Sequence, residues 1–280
     1  MAQPPTMQST PRDVAYIDTT QAYDQWANVY DTDGNFLQAL DTIEMRSLLP
    51  DFWTQVKKEY LRRQQPSRRP STITSESSTI VSEDGLGAVD AQIIGLDASN
   101  GMLDVARQKV QDFQRNTAIA VDVKLAPFDL LDQSSLDAGT LDLVNNTDGM
   151  ISTLVAEHIP LDIYFASAAA ILRPGACFLI TNMHAEMGQI SQAGFVDSAT
   201  GSKVRPSRSY AHSVTHLLAE AAKAGFEVVS LPSTTNTGSK GDVEGVIERT
   251  VTQDMVEKLG KRSLKYVGVT VWLGVCLRKI

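Results

Sequence analysis

Cysteine is nearly absent: Cys177 and Cys276 are the two in 280 residues, and each lies inside an apolar, strand-like run. Thiols placed this way behave as small buried hydrophobes of a reducing compartment and argue against a disulfide-stapled scaffold. Basic charge is also scarce. Against 33 Asp and Glu there are 25 Lys and Arg, a net charge of −8, which is the wrong sign for non-specific binding to phosphates. No apolar run reaches the roughly 20 residues of a membrane helix, and the polar start from Met1 to Pro11 has no signal-peptide core. These absences predict a cytoplasmic protein with neither a membrane nor a nucleic acid as partner. Histidine is limited to His158, His184, His212 and His216. His212 and His216 are spaced i, i+4, but no further ligands stand at metal-binding spacing, so a solvated or capping role is expected for them and no metal site.

What remains is ordinary for a globular chain: 42% hydrophobic and 21% charged residues, enough to bury a sizeable core. Residues 1–19 are expected to be a disordered lead, and 20–280 a single domain. Within it, 61–88 is rich in Arg, Ser, Thr and Pro and lacks the apolar content to order itself. Tyr23, Trp26, Ala27 and Tyr30 fall on one face of a helix. Phe36, Leu37, Leu40, Ile43, Met45, Leu48 and Leu49 mark a second helix, resuming after Pro50 through Phe52 and Val56. Strands and helices then alternate. Ile93, Ile94 and Leu96 form a short strand ending on Asp97, Ser99 caps a helix carrying Met102, Ala106, Val110 and Phe113, and a strand follows over 118–125. Further strands are expected at 150–155, 176–181, 226–231 and 266–277. Helices are expected at 161–172, 210–224 and 251–259, the first broken by Arg173-Pro174-Gly175. This alternation predicts a parallel sheet covered by helices on both faces.

In such sheets ligands bind beyond the carboxyl ends of the strands. Three segments end there. Asp97 suits the two hydroxyls of a ribose, Phe128 could stack on a flat ring while Asp129 accepts from an exocyclic amine, and Ser152 and Thr153 close a third strand. Each alone is a weak signal, and Asp129 alone is more often a turn residue. Their order in one chain describes a nucleoside pocket.

The segments Ile93-Ile94-Gly95-Leu96-Asp97-Ala98-Ser99-Asn100-Gly101-Met102, Phe128-Asp129-Leu130 and Leu154-Val155-Ala156-Glu157-His158 resemble class I S-adenosylmethionine-dependent methyltransferases. So does Leu172-Arg173-Pro174-Gly175-Ala176 ahead of a strand, and Tyr23 to Asp31 is similar to the family's N-terminal lid helix. The resemblance implies a Rossmann-like three-layer α/β sandwich of order 3-2-1-4-5-7-6, mostly parallel, with the last strand antiparallel. It also implies methyl transfer from S-adenosyl-L-methionine to a small-molecule acceptor. Asp97, Ala98 and Met102 would hold the ribose side, Phe128, Asp129 and Leu130 the adenine, and Ser152 and Thr153 would border the transfer site. Tyr23 and Tyr30 would cover the cofactor, and His184, after the fifth strand, is the candidate base. An oxidoreductase is disfavoured, because no Gly-x-Gly-x-x-Gly is present.

One part of the family pattern is missing. A Gly-x-Gly-x-Gly turn and a helix should precede the ribose acid, yet Gly85 and Gly87 are its only remnants. Twelve positions (97 − 85) separate Gly85 from Asp97, where turn, helix and strand need about 20. The first strand–helix unit is therefore degenerate. The gap leaves two readings: a diverged relative impaired in catalysis that acts, if at all, as a binding or scaffold protein, or a gene product in which a non-coding stretch replaces an exon.

Overall fold

The computed structural model describes residues 13–64, 92–117, 122–132, 138–145, 147–232 and 243–280. In chain order the elements are β1 (Val14–Ile17), α1 (Thr19–Trp26), α2 (Phe36–Gln64), β2 (Gln92–Asp97), α3 (Asn100–Thr117), β3 (Asp122–Pro127), α4 (Ala138–Val144) and β4 (Thr147–Thr153). They continue with α5 (Leu161–Ile171), β5 (Leu172–Met183), α6 (Ala185–Ile190), β6 (Phe195–Val196), β7 (Lys203–Pro206), α7 (Val214–Lys223), β8 (Phe226–Val228), β9 (Val246–Thr250), α8 (Met255–Leu259) and β10 (Thr270–Lys279). No described helix is long and apolar enough to cross a membrane.

The main sheet runs β4-β5-β10-β8, with β9 also paired to β10. Strand β4 is parallel to β5, whereas β10 is antiparallel to both β5 and β8. A separate parallel pair joins β2 to β3. Numbered as in the expected order, these are 3-2 and 4-5-7-6 with the last strand antiparallel. The expected first strand, with Gly85 and Gly87, falls outside the described residues. Ile94 and Leu96 of β2 nevertheless pack with Phe128, Val144, Ile171 and Met150, so both sheet pieces share a core.

Strand β10 is the spine. Val271, Trp272, Leu273, Val275, Cys276 and Leu277 are all buried, as a strand covered on both faces requires. On one face, α2 lays Phe36, Leu37, Leu40, Leu48, Phe52 and Val56 against it. On the other, α5 and α7 bring Tyr164, Phe165, Leu217 and Ala221. Helix α2 is also tied by polar contacts. Trp272 Nε1 donates to Asp41 Oδ1 at 2.8 Å, and the Arg249 guanidinium grips both oxygens of Glu44 at 2.7 and 2.8 Å. Burial pushes the Asp41 carboxyl above its usual range, although the Thr181 and Trp272 contacts oppose this.

Three local expectations need correction. The lead does not stay unstructured to residue 19, because β1 pairs in parallel with β7 and Asp18 caps α1. Helix α2 runs unbroken through Pro50 to Gln64, so its last turn occupies the start of the stretch expected to be disordered from 61. The proline forfeits one backbone hydrogen bond, but the apolar seat on both sides of it holds the helix together. The helix does end before the predicted break at Arg173-Pro174-Gly175, with α5 closing at Ile171, but the triplet itself lies inside β5 instead of in a turn. There the register with β4 jumps from Thr147–Leu172 to Gly149–Cys177, and Gly175 takes a φ of +81°, so the turn-forming triplet is absorbed as a bulge.

Gly149 shows how closely α2 sits on β4. A Cβ there would lie 2.7 Å from Val56 Cγ2 and 3.2 Å from Phe52 Cζ, and Val56, β-branched on a helix, has little rotamer freedom to yield. Gly149→Ala is expected to cost about 1–3 kcal/mol of stability by overpacking, read as a lower urea midpoint with unchanged slope.

Candidate active site

The site gathers where β2, β4 and β5 end under helix α1. Two adjacent residues of α1 reach in different directions. Asp24 Oδ1 accepts from Ser99 Oγ at 2.7 Å and from the Gly101 N–H at 2.9 Å, so it binds the N-terminal turn of α3, where exposed amides favour an anion. Ser99 Oγ in turn accepts from the Met102 N–H at 3.1 Å, the cap read from the sequence. Gly101 sits close under α1, since a Cβ there would lie 3.0 Å from the Asp24 carbonyl oxygen and 3.1 Å from Ala27 Cβ. Next to Asp24, Tyr23 Oη meets His158 Nε2 at 2.8 Å. His158 Nδ1 lies 3.0 Å from the Arg208 carbonyl, which can only accept. Nδ1 therefore donates to that carbonyl, which leaves Nε2 able to accept from the Tyr23 hydroxyl.

The turn bearing Glu157 and His158 is clamped from several sides. Asn182 Oδ1 accepts from the Glu157 N–H at 3.2 Å, and the Tyr210 N–H donates to the Glu157 carbonyl at 2.7 Å. His212 Nε2 bridges the carbonyls of Ala156 and Ile159 at 3.1 and 3.0 Å. This corrects the expectation for His212: it precedes α7, is buried, and has its ring held down in pKa chiefly by burial. Just upstream, Leu154 sits at φ +54°, a strained conformation for a branched residue, worth about 1–3 kcal/mol and held by its N–H to Thr181 O at 2.9 Å.

Between α1 and these strand ends lies a cleft of about 90 Å³, with Tyr23, Trp26, Tyr30, Leu154, Glu157 and Met183 in its wall. The three α1-side rings form one cluster, with centroids 5.4 Å apart for Tyr23–Trp26, 5.3 Å for Trp26–Tyr30 and 6.4 Å for Tyr23–Tyr30. Burial, with Glu157 and Asp97 adding negative charge, keeps both tyrosine hydroxyls protonated.

Asp97 stands at the end of β2, half-buried, with Oδ1 accepting the Ser99 N–H at 2.7 Å. Burial raises its pKa, Asp24 adds to that, and the Ser99 amide opposes it. Ala98 and Met102 flank it, both partly buried. The predicted adenine group is placed differently. Phe128 is buried among Val144 and Ile171, so its ring serves the joint between the sheet pieces and presents no stacking face. Asp129 Oδ1 accepts from the Leu131 N–H at 2.9 Å, an Asx turn, and Leu130 packs against the same core. At the end of β4, Ser152 is buried and Thr153 exposed.

His184 does not fit the role of base. It is the N-cap of α6, its Nδ1 accepting from the Glu186 N–H at 3.3 Å while Nε2 lies 3.0 Å from Glu248 Oε1. Both ring nitrogens are engaged, and the residue is not among those lining the cleft. Asp24 and Glu157 carry no signal of their own in the sequence, although each belongs to a segment that does. Their partners Ser99, Gly101, Asn182 and Tyr210 are far along the chain, so spacing does not reveal them. Among the described residues no cluster of His, Cys, Asp or Glu could hold a metal.

Mixed sheets with an acid at one strand end and a helix over the next place a candidate ligand site beyond the carboxyl ends of β2 and β4. The chain is 44% identical over 279 residues to an uncharacterized methyltransferase of Emericella nidulans, covering 94% of this chain and 91% of that protein. It belongs to this methyltransferase family. No family model matches the chain. Solved structures resemble it distantly. An S-adenosylmethionine-dependent methyltransferase of Mesorhizobium loti is 17% identical, over 67% of this chain and 80% of that one, with TM-score 0.40. One of Methanosarcina mazei is 10% identical, over 68% and 82%, with TM-score 0.43.

Aspartate 24 ties α1 to α3, so Asp24→Ala should lower stability by about 1–3 kcal/mol, the range for a charged hydrogen bond and a lost cap. Chemical denaturation measures it, and an unchanged midpoint would remove this tie.

Proposed function

We propose that the chain transfers a methyl group from S-adenosyl-L-methionine to a small-molecule acceptor. The observation that carries this reading is Asp97 at the carboxyl end of β2, half-buried beside the α1 lid, in a chain of the methyltransferase family. The residues present fit the cofactor in part. Asp97 offers a desolvated carboxylate to a ribose diol, with Ala98 and Met102 beside it, while Tyr23 and Tyr30 line the neighbouring cleft, whose wall does not include Asp97. Phe128 offers no face to an adenine, so that ring must lean on other side chains near β3. When bound, the cofactor supplies a methyl group carried on a positively charged sulfur. The protein's share is orientation and exclusion of water: His158 fixes the Tyr23 hydroxyl, and the clamped 156–159 turn holds the wall rigid.

A second reading, a family member that has lost catalysis and acts by binding, is favoured by one observation: twelve positions between Gly85 and Asp97 leave no room for a Gly-rich turn and helix. Calorimetric titration with S-adenosylhomocysteine separates the two. Micromolar binding supports the enzyme, and no heat supports the binding protein. If binding occurs, Asp97→Ala should weaken it at least about tenfold, since a hydrogen bond to a charged group is worth roughly 1.5–3 kcal/mol. Unchanged affinity would remove the ribose assignment.

The pH dependence has a definite sign. Ribose hydroxyls donate to the ionised Asp97, so affinity is full above its pKa and falls as the carboxyl protonates. Because burial raises that pKa, affinity should begin to fall on acidification at a higher pH than an ordinary aspartate would give, and the fall should vanish in Asp97→Asn. Titrations at stepped pH read this out.

A further inference from the structure

The wall of the cleft under α1 includes an acid with a sealed, unpartnered oxygen. Glu157 is 2% exposed, it forms part of the cleft wall, and its Oε2 makes no hydrogen bond. A buried carboxylate left like this is costly unless something positive meets it. Its nearest charged neighbour is no permanent cation: His158 Nε2 lies 4.0 Å from Oε1 and is already accepting from Tyr23. The rest of the inner wall is electron-rich. Tyr23, Trp26 and Tyr30 bring ring faces, which attract cations, and Met183 and Met187 bring polarisable sulfur.

Positive side chains line the same cleft. Arg262 is half-exposed and held by Asp33, exposed Lys265 lies 4.6 Å over the Tyr266 ring, and Lys203 is half-buried. Two of the three bases therefore stand in solvent, while the acid and the aromatic rings are more deeply buried. With about 90 Å³ of room, the cleft takes an amine head and a few carbons, but not a nucleoside.

We propose that Glu157, Tyr23, Trp26 and Tyr30 form the binding site for the amino group of the methyl acceptor, which is a small monoamine. This rests on the methyl-transfer reading above. A polyamine is selected against, because its second ammonium would meet Arg262 and Lys265 on the cleft wall. In the reaction the acceptor's ammonium gives one proton to the Glu157 carboxylate. Its freed lone pair forms the nitrogen–carbon bond, and the electron pair of the broken carbon–sulfur bond stays on the departing thioether.

The test is calorimetry on the full chain with choline, its neutral carbon isostere 3,3-dimethylbutan-1-ol, spermidine and S-adenosylhomocysteine. Choline is expected to bind at least about tenfold more tightly than the isostere, as a desolvated cation on aromatic faces should, and more tightly than spermidine. Glu157→Gln, which keeps shape and hydrogen-bonding capacity, should weaken choline about tenfold while leaving S-adenosylhomocysteine affinity in place. Equal binding of choline and its isostere would overturn the proposal. So would a Glu157→Gln protein that keeps choline and loses S-adenosylhomocysteine, since Glu157 would then belong to the cofactor. Glu157-dependent choline binding in a chain that ignores S-adenosylhomocysteine would uphold the cation site and remove the methyl-transfer reading instead.

Discussion

The carboxylate of Asp24 at the N-terminal turn of α3 is the contact on which the arrangement of the site depends. Besides the small β1-β7-β6 sheet, the described strands form two pieces, β2–β3 and the larger sheet around β10. Among the described residues, a small apolar cluster around Phe128 and helix α1 join them. One residue of α1 binds α3, which follows β2, and the residue before binds His158, which follows β4. Lys109 and Asp31 add a further link between α3 and the end of the lid at 2.7 Å, although an exposed pair of this kind contributes at most about 1 kcal/mol. The ligand-facing edge is assembled from both pieces by a helix that belongs to neither.

Behind that edge the architecture follows from where apolar residues can go. A spine strand as hydrophobic as β10 must be covered on both faces, and α2 on one side with α5 and α7 on the other provide the cover. Polar groups buried with them pair across the layers, Trp272 with Asp41 and Arg249 with Glu44, which is the condition for placing them there. Glu157 Oε2 is one of six buried side-chain atoms among the described residues that depart from that rule, and its residue lies in the wall of the cleft. Departures of this kind are where a site is most profitably sought.

Much of the fold could be read in the sequence because it rests on local chemistry. The strand ending at Asp97, the Ser99 cap and the apolar run of β10 each announce themselves within a dozen residues. Reading failed where tertiary packing overrides a local signal. Pro50 did not end α2, since the helix is buried on both sides of the proline, and Arg173-Pro174-Gly175 became a bulge because β4 holds the strand on either side of it. At the site, Asp97 and the aromatic face of α1 were legible, as acid-at-strand-end and helical periodicity are both sequence patterns. Phe128 and His184 were misread for a common reason: a residue type at a plausible strand end says nothing of its rotamer or neighbours. One ring went into the core, and the other was taken up by a helix cap and Glu248. Glu157 was quoted and passed over, because an unpaired oxygen can be recognised only once every neighbour is known.

Tyr23 and Asp24 being consecutive has a kinetic consequence. Helix α1 cannot swing away from the cleft while α3 stays capped, nor can α3 shed Asp24 without loosening Tyr23 from His158. The two contacts break together, at a joint cost of about 2–4 kcal/mol, so the lid is open in roughly one molecule in thirty to one in a thousand. Whatever enters the cleft does so through brief, all-or-none excursions, and whatever occupies it is held behind a door with two latches on one hinge.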